Sequence, residues 1–197
     1  MNPHNTIMIF GFSGSGKSTL ANSLGKQHGL RVIHPSSILR DLLEGKTADV
    51  SNTQHNTGFW ESPEGIRLFK ERLEEEEPLD VKSDRILVAE AQKGNVVIDS
   101  WSLPWLIDHG IKIYLKTDLE ERARRVAKRS RITYEESLKL VAMKDEETRR
   151  LFKRVYGFDI LTDHQVFDLK IDTTGSDPKM VFKKISNYIE SRKDHAY

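Results

Sequence analysis

Gly11-Phe12-Ser13-Gly14-Ser15-Gly16-Lys17-Ser18 sets a lysine and a hydroxyl directly behind closely spaced glycines, in the pattern G-x-x-x-x-G-K-[ST]. Residues of these types at this spacing suit one task, holding phosphate. Glycines let the backbone curl until successive N–H groups point inward at anionic oxygens. A helix that begins at the lysine adds its positive N-terminal end. Lys17 is then expected to reach the β- and γ-phosphates of a nucleotide, with the Ser18 hydroxyl on Mg²⁺. The donor is expected to be held by Gly11, Ser13, Gly14, Ser15, Gly16, Lys17, Ser18 and Thr19. The competing reading is a glycine-rich turn with a solvent-facing lysine. Against it stand the apolar run Ile7 to Phe10 before the loop and the helical spacing of Leu20 and Leu24 after it, the two flanks that a phosphate loop requires.

Two further groups could act on a phosphate held there. Asp99 closes the apolar run Asn95 to Asp99, where it could hold the water shell of Mg²⁺ or take a proton from an attacking hydroxyl. A monophosphate acceptor is already ionised and needs no base, whereas an alcohol gains about 10²- to 10⁴-fold from one. Asp99 could instead cap the next helix, although Ser100 or Ser102 could do that. The second group is basic: Arg122, Arg125 and Arg129 fall three and four apart and so share one helix face. Mobile arginines that close over transferring phosphates use this arrangement, as does an ordinary solvated basic face.

The elements that must position these residues follow from the apolar patterning. Short β-branched runs at Thr6 to Phe10, Arg31 to His34, Asn95 to Asp99, Ile111 to Lys116 and Phe167 to Asp172 alternate with segments of helical spacing. That alternation predicts an α/β fold with a five-stranded parallel sheet covered on both faces, binding ligands beyond the carboxyl ends of its strands. The stretch from Gly45 to Gly94 has no strand signal and is expected to be a mostly helical insertion. Its acidic run Glu74 to Glu77 before Pro78 reads as a solvated helix end. Thr133-Tyr134-Glu135-Glu136 has the form of a capping box that opens a helix. A last helix is expected from about Asp177 to Arg192. One domain results, with core segments 1–45, 94–118 and 160–197, an acceptor-binding insertion at 46–93 and an arginine-rich lid at 119–159.

Composition removes several classes of function. The 197 residues carry 31 basic and 30 acidic side chains, a net charge of +1, so no global field points to nucleic acid or a membrane. The absence of cysteine excludes disulfides, thiolate metal sites and a cysteine nucleophile. No apolar run approaches the roughly 20 residues needed to span a bilayer. A soluble cytoplasmic protein acting on small molecules, as monomer or homodimer, is expected. A guanine-reading N-K-x-D is missing, and the D-x-x-G of Asp172 to Gly175 comes too late in the chain for a GTPase switch.

With the phosphate loop in place, the chain resembles the archaeal and bacterial cytidylate kinases of the nucleoside monophosphate kinase fold. The resemblance rests on that loop and on I-H-P-S-S-I-L-R (33–40), D-V-K-S-D-R (80–85), K-G-N-V-V-I-D (93–99), L-E-E-R-A-R-R-V-A-K-R (119–129) and V-Y-G-F-D-I (155–160). It implies a three-layer P-loop kinase using ATP and Mg²⁺, with adenine contacts around Thr173 to Ser176. It also implies that Arg40 contacts the acceptor's phosphate, that Asp84 and Arg85 face the acceptor, and that Arg122, Arg125 and Arg129 belong to the lid; Trp101, two residues past a strand's carboxyl end, is placed to line a pocket, and His34 is a further acceptor-side candidate. Arg40 could equally be a surface residue at a helix end, and Asp84 with Arg85 an exposed pair.

Departures from the pattern concentrate on the acceptor side. Where the family has an acid, glycine and arginine after the third strand, this chain has Asp99-Ser100-Trp101. Where relatives carry an arginine beside an aromatic, it has Leu151-Phe152, with Arg149 and Arg150 as possible substitutes. The segment T-G-F-W-E-S-P-E (57–64) has no counterpart in the pattern, and Trp60, Trp101 and Trp105 could be core or pocket. A kept Arg40 with the arginine at position 101 lost favours a small phosphorylated alcohol as acceptor. Mevalonate 3-phosphate, phosphorylated on its 5-hydroxyl, is one candidate by family association. CMP or dCMP is the alternative, and a nucleotide-binding regulator without catalysis is a third reading.

Overall fold

The computed structural model describes residues 5–53, 58–71 and 77–194. A five-stranded sheet in the order β2-β3-β1-β4-β5 runs through it, every neighbouring pair parallel. The strands are β1 (Thr6–Phe10), β2 (Arg31–Ile33), β3 (Val96–Asp99), β4 (Ile111–Lys116) and β5 (Leu169–Asp172). β1 is the central strand and every residue of it is buried, which is why T-I-M-I-F reads as a continuous apolar run without alternation.

The two-residue period of the strands splits the core. Ile7 and Ile9 face helices α1 (Lys17–His28) and α8 (Pro178–Asp194), packing with Leu20, Leu24, Val181, Ile185 and Ile189. Met8 faces the other way, onto α2 (Pro35–Leu43), α4 (Leu79–Gln92) and the short α5 (Leu103–Leu106), through Ile38, Leu87, Ala91, Leu103 and Ile107. The result is a three-layer α/β sandwich.

The two departures from this layering build the site. Between α2 and β3 the chain forms short 3₁₀ turns at Val50–Asn52 and Phe59–Glu61, then α3 (Pro63–Glu71) and α4, so the described part of the insertion is helical as expected. Gln54 to Thr57 and Glu74 to Glu76 lie outside the described residues; Glu77, at the entry to α4, pairs with Arg85. After β4 come α6 (Leu119–Ser130) and the long α7 (Tyr134–Tyr156). They are joined through Arg131 in the left-handed region and a capping box in which Thr133 and Glu136 exchange side-chain and backbone bonds. Phe167, expected in β5, precedes the strand, because its ring is taken into an aromatic cluster with Phe10, Trp105 and Tyr114. Among the described residues no helix is long and apolar enough to cross a membrane.

Candidate active site

The register of the sheet decides where chemistry is possible. β1 ends at Phe10 and β3 at Asp99, with Ile9 opposite Asp99, so the glycine loop and the segment Asp99-Ser100-Trp101 leave neighbouring strands at the same edge. Ser100 N–H donates to the Ile9 carbonyl at 3.0 Å and fixes the two exits together. A cavity of about 340 Å³ opens at this edge, where the fold class places ligands.

Its floor is the loop between β1 and α1. Gly14 (φ 83°) and Gly16 (φ 97°) occupy conformations that side chains rarely adopt. A Cβ on Gly14 would also lie 2.7 Å from the Arg122 carbonyl oxygen, so the loop is backed tightly by α6. Ser13, Gly14, Gly16, Lys17, Ser18 and Thr19 line the cavity; Ser15 is buried beneath, and its carbonyl faces the Thr173 hydroxyl at 3.5 Å. Gly11 stays below the cavity, where a Cβ would lie 2.9 Å from the Leu115 carbonyl, so its part is close packing.

Lys17 Nζ lies 5.3 Å from the centre of the Trp101 indole and 3.4 Å from the Phe12 carbonyl. Burial pushes its ammonium down; Asp99 opposes this, Arg129 and Arg122 reinforce it, and the group settles at about 8. Asp99 is buried, and its Oδ2 lies 3.0 Å from His34 Nδ1, whose Nε2 lies 3.1 Å from Asn22 Oδ1. Ser100, rather than Asp99, serves the next helix: its Oγ accepts from the N–H groups of Ser102 and Leu103. Asp99 is left facing the cavity beside Ser18. A carboxylate and a hydroxyl form a hard oxygen donor set that fits Mg²⁺ bound with phosphate oxygens and water.

The three spaced arginines part company. Arg122 is buried and acts as a strut: its guanidinium donates to the Thr117 carbonyl at 3.2 Å, to the Ser13 carbonyl at 3.4 Å and to Asp145 Oδ2 at 2.7 Å, over the ring of Phe12. That is a fixed brace under the phosphate loop, not the mobile lid arginine expected from spacing. Burial pushes Asp145 up to about 6 even against the pull of Arg122. Arg125 donates to the Thr173 carbonyl at 2.7 Å and lines both the main cavity and a second one beside Thr173, Ser176 and Pro178. Gly16 and Thr19 also border both, so a nucleotide with phosphates on the loop has room for its nucleoside near Thr173 to Ser176. Arg129 lines the main cavity alone and pairs with Glu61 at 3.1 Å.

Beyond the loop, the wall comes from α4, α7 and the 3₁₀ turn at Phe59–Glu61. Asp84 is buried there, its Oδ1 accepting from Ser102 Oγ at 2.6 Å and its Oδ2 from Tyr156 Oη at 2.8 Å. Burial, with Asp84 alongside, pushes the Tyr156 phenol up, so it remains a donor. Trp101 lines the cavity as expected. Arg85 does not: it is paired with Glu77, and its side chain is 69% exposed. Arg40 is likewise absent from the lining; its guanidinium sits over the ring of Phe59, 3.6 Å from Glu44. His34 acts through Asp99 without lining the cavity itself.

Arg149 grips Asp159 with bonds of 2.7 to 2.9 Å and Arg150 pairs with Glu146, so neither replaces the missing arginine. Trp105 is core, stacked on Phe158. The wall residues that sequence reasoning missed are Glu61, Asp80, Ser83, Lys144 and Thr148. Two signals were available: Asp80, Ser83 and Asp84 share one face of α4, and Lys144, Thr148 and Phe152 repeat every fourth residue along α7.

Against this geometry, the sequence model of the cytidylate kinase-like family matches residues 6–175. A cytidylate kinase of Ignicoccus hospitalis is 33% identical over 185 residues, covering 93% of this chain and 98% of the relative. One from Sulfurisphaera tokodaii is also 33% identical, covering 93% and 94%. Among solved structures, a shikimate kinase from Bacteroides thetaiotaomicron superposes with a TM-score of 0.57 at 16% identity, covering 94% of this chain and 98% of that one. A gluconokinase from Sinorhizobium meliloti superposes with a TM-score of 0.58 at 12% identity over the whole of both chains. At such identities the structural likeness establishes the fold alone.

Proposed function

The chain belongs to the cytidylate kinase-like family of phosphotransferases, and from that premise we propose that it transfers the γ-phosphate of ATP, with Mg²⁺, to CMP or dCMP. The observation that carries the acceptor is the carboxylate wall that shares the cavity with the phosphate loop. Asp80 and Asp84 line it with Ser83 and Ser102, and the hydroxyls of Ser102 and Tyr156 hold Asp84 in orientation. A carboxylate accepts from the exocyclic amine of cytosine and meets the carbonyl that uracil presents there with repulsion. The segment 46–93 supplies most of this wall, and 119–159 supplies Arg125, Arg129, Lys144 and Thr148; we assign the acceptor site to the first and the lid to the second.

In the transfer this protein's residues mainly position charge. The loop's backbone N–H groups hold the donor phosphates, Lys17 meets the transferring group, and Arg125 faces it from α6. Ser18 and Asp99 would hold Mg²⁺, which when bound neutralises charge on the β- and γ-phosphate oxygens. A CMP phosphate attacks as an anion and asks no proton of Asp99.

The phosphorylated alcohol ranked first on the sequence receives less support from the relatives, both named cytidylate kinases. One observation keeps it as a second reading: Asp99 is buried, bonded to His34 and relieved of capping duty by Ser100, an arrangement suited to a base, and Trp101 occupies the place of the expected arginine. Mevalonate 3-phosphate remains a candidate of that class. A coupled assay with MgATP and a panel of CMP, dCMP, UMP and phosphorylated isoprenoid precursors separates the readings. Rapid turnover of CMP is expected; turnover of a phosphorylated alcohol without CMP would establish the second reading. ATP binding with no acceptor turned over would leave a regulator.

A further inference from the structure

The main cavity holds a charged cluster for which the donor has no use. Glu61, in the turn Phe59–Glu61, is nearly buried, its side chain 6% exposed. Its Oε1 lies 3.0 Å from Lys144 Nζ on α7, and its Oε2 lies 3.1 Å from Arg129 Nη2 on α6 and accepts from Ser130 Oγ at 3.2 Å. Lys144, 4% exposed, also donates to the Trp60 carbonyl at 2.6 Å. Burial pushes the Glu61 carboxyl up, but Lys144 and Arg129 outweigh it and hold the group below its ordinary range.

The turn itself is firmly seated. Ser62 Oγ donates to the Phe59 carbonyl at 2.7 Å and accepts from Gly65 N–H, and a Cβ on Gly65 would meet the Phe59 carbonyl at 2.0 Å. The cluster is therefore a built bridge between the insertion and the α6–α7 pair.

Glu61 pairs with both cations, and both its oxygens are engaged. Two donors on the same wall, Arg129 Nε and Trp60 Nε1, are buried with no hydrogen-bond partner among the described residues. Unsatisfied buried donors beside two cations ask for a group that only accepts. The other candidate cations are spoken for: Arg40 and Arg85 stand outside the cavity, Arg125 is bonded to Thr173, and Lys17 belongs to the phosphate loop.

We propose that Arg129, Lys144 and the Trp60 N–H form the subsite for the acceptor's own phosphate, with Glu61 as the positioning residue that holds both cations at the wall. This rests on the reading that the acceptor arrives already phosphorylated, and it gives the described part of the unmatched stretch, residues 58–64, a role. The missing arginine at position 101 is thereby replaced from α6 and α7, which line the same cavity.

The test compares each phosphorylated ligand with its dephosphorylated partner, so that general damage cancels. Binding of CMP and cytidine to the full chain saturated with MgADP is measured by calorimetry. Wild-type protein is expected to prefer CMP by more than tenfold. Lys144→Met should cut that preference about tenfold and Trp60→Phe, which removes only the indole N–H, about threefold, with cytidine affinity unchanged in both. Trp60→Phe keeps the test alive if Lys144→Met fails to fold. Glu61→Gln should raise the acceptor KM about tenfold while the KM for ATP stays constant; an equal rise in both overturns its positioning role.

A preference for CMP that survives both Lys144→Met and Trp60→Phe overturns the subsite and leaves the cytidylate reading standing. If CMP is neither bound nor phosphorylated, glycerol 3-phosphate and glycerol replace the pair. A phosphate preference there that collapses in the variants upholds the subsite and overturns the cytidylate reading. No phosphate preference in wild type with either pair overturns both.

Discussion

The donor and acceptor sides of the cavity meet at Lys17 but are made in different ways. The donor floor we propose is a single continuous stretch, Ser13 to Thr19, built of backbone N–H groups and a helix end. The acceptor wall is assembled from Asp80 and Asp84 on α4, Ser100 to Ser102 after β3, Trp60 and Glu61 in a turn, and Lys144 on α7. A backbone site tolerates change in most side chains around it. A wall of side chains from several segments changes its ligand when one of them does, so a shared loop identifies the donor and leaves the acceptor to be argued residue by residue.

The sharpest break between the two sides should come from Lys17→Ala. Removing the one cation on the loop is expected to lower kcat by about 10³-fold. CMP affinity and the thermal midpoint should barely move, because Lys17 makes one long bond to the Phe12 carbonyl and no ion pair among the described residues. Steady-state kinetics with calorimetric binding of CMP check this. A comparable loss of CMP affinity would mean that the two sides are not separable at Lys17.

The second prediction concerns what holds the donor floor in place. Arg122 is buried under the loop with Asp145 as its anionic partner, so Asp145→Ala strands a buried guanidinium. A loss of about 3–5 kcal/mol in unfolding free energy is expected, with ATP affinity falling more than CMP affinity. Asp145 itself sits at about 6, raised by burial, above its unfolded value. Its charged form is thus disfavoured by folding: the native state gains stability as the group is protonated below that value and gives it up as pH rises through about 6. Asp145→Asn should remove that part of the pH dependence of stability, as urea titrations between pH 5 and 7 would show.

What the sequence could and could not say follows the same divide. β1 and β4 were legible to the residue because a central parallel strand must be apolar on both faces, and the capping box at Thr133 and Glu136 is a local pattern with a local cause. The helical spacing of Arg122, Arg125 and Arg129 was also read correctly, but spacing says nothing about what lies opposite. Gly14 and Phe12 lie against Arg122, Thr173 against Arg125 and Glu61 against Arg129, so one predicted face meets three different surroundings. The pair of Glu61 and Lys144 is 83 residues apart, with no local periodicity to connect them. Arg40 and Arg85 show the converse: their motifs matched, and the structure gives them to Glu44 and Glu77 at the surface.

On the acceptor side, Asp84→Asn should convert discrimination more than stability. The amide keeps the shape of the side chain yet offers a donor where the carboxylate only accepts. The ratio of kcat/KM for CMP over UMP is expected to fall by about tenfold to a hundredfold, within the range of one good base contact. Lys17-dependent ATP binding should be unchanged. An unaltered ratio would remove Asp84 from base reading and with it the strongest structural support for a cytosine acceptor.

The smallest effect expected is also the cleanest separation of the two sides, since it needs no substitution. Lys17 in the free protein is held at about 8, burial being the chief cause, with Arg129 and Arg122 adding to it and Asp99 working against it. Donor phosphates stabilise the charged ammonium, so binding raises that value and takes up a proton. Affinity for MgATP should therefore be nearly level below pH 7.5 and weaken above 8, by about tenfold between pH 7 and 9. Proton uptake should appear as a buffer-dependent enthalpy near pH 8. On the acceptor wall, Glu61 is held below its ordinary range by Lys144 and Arg129 and stays ionised throughout. CMP binding to the MgADP-saturated protein should consequently be flat from pH 7 to 9. If both ligands weakened in parallel above pH 8, Lys17 would be serving the acceptor as much as the donor, and the division between a backbone floor and a side-chain wall would fail at the residue where the two meet.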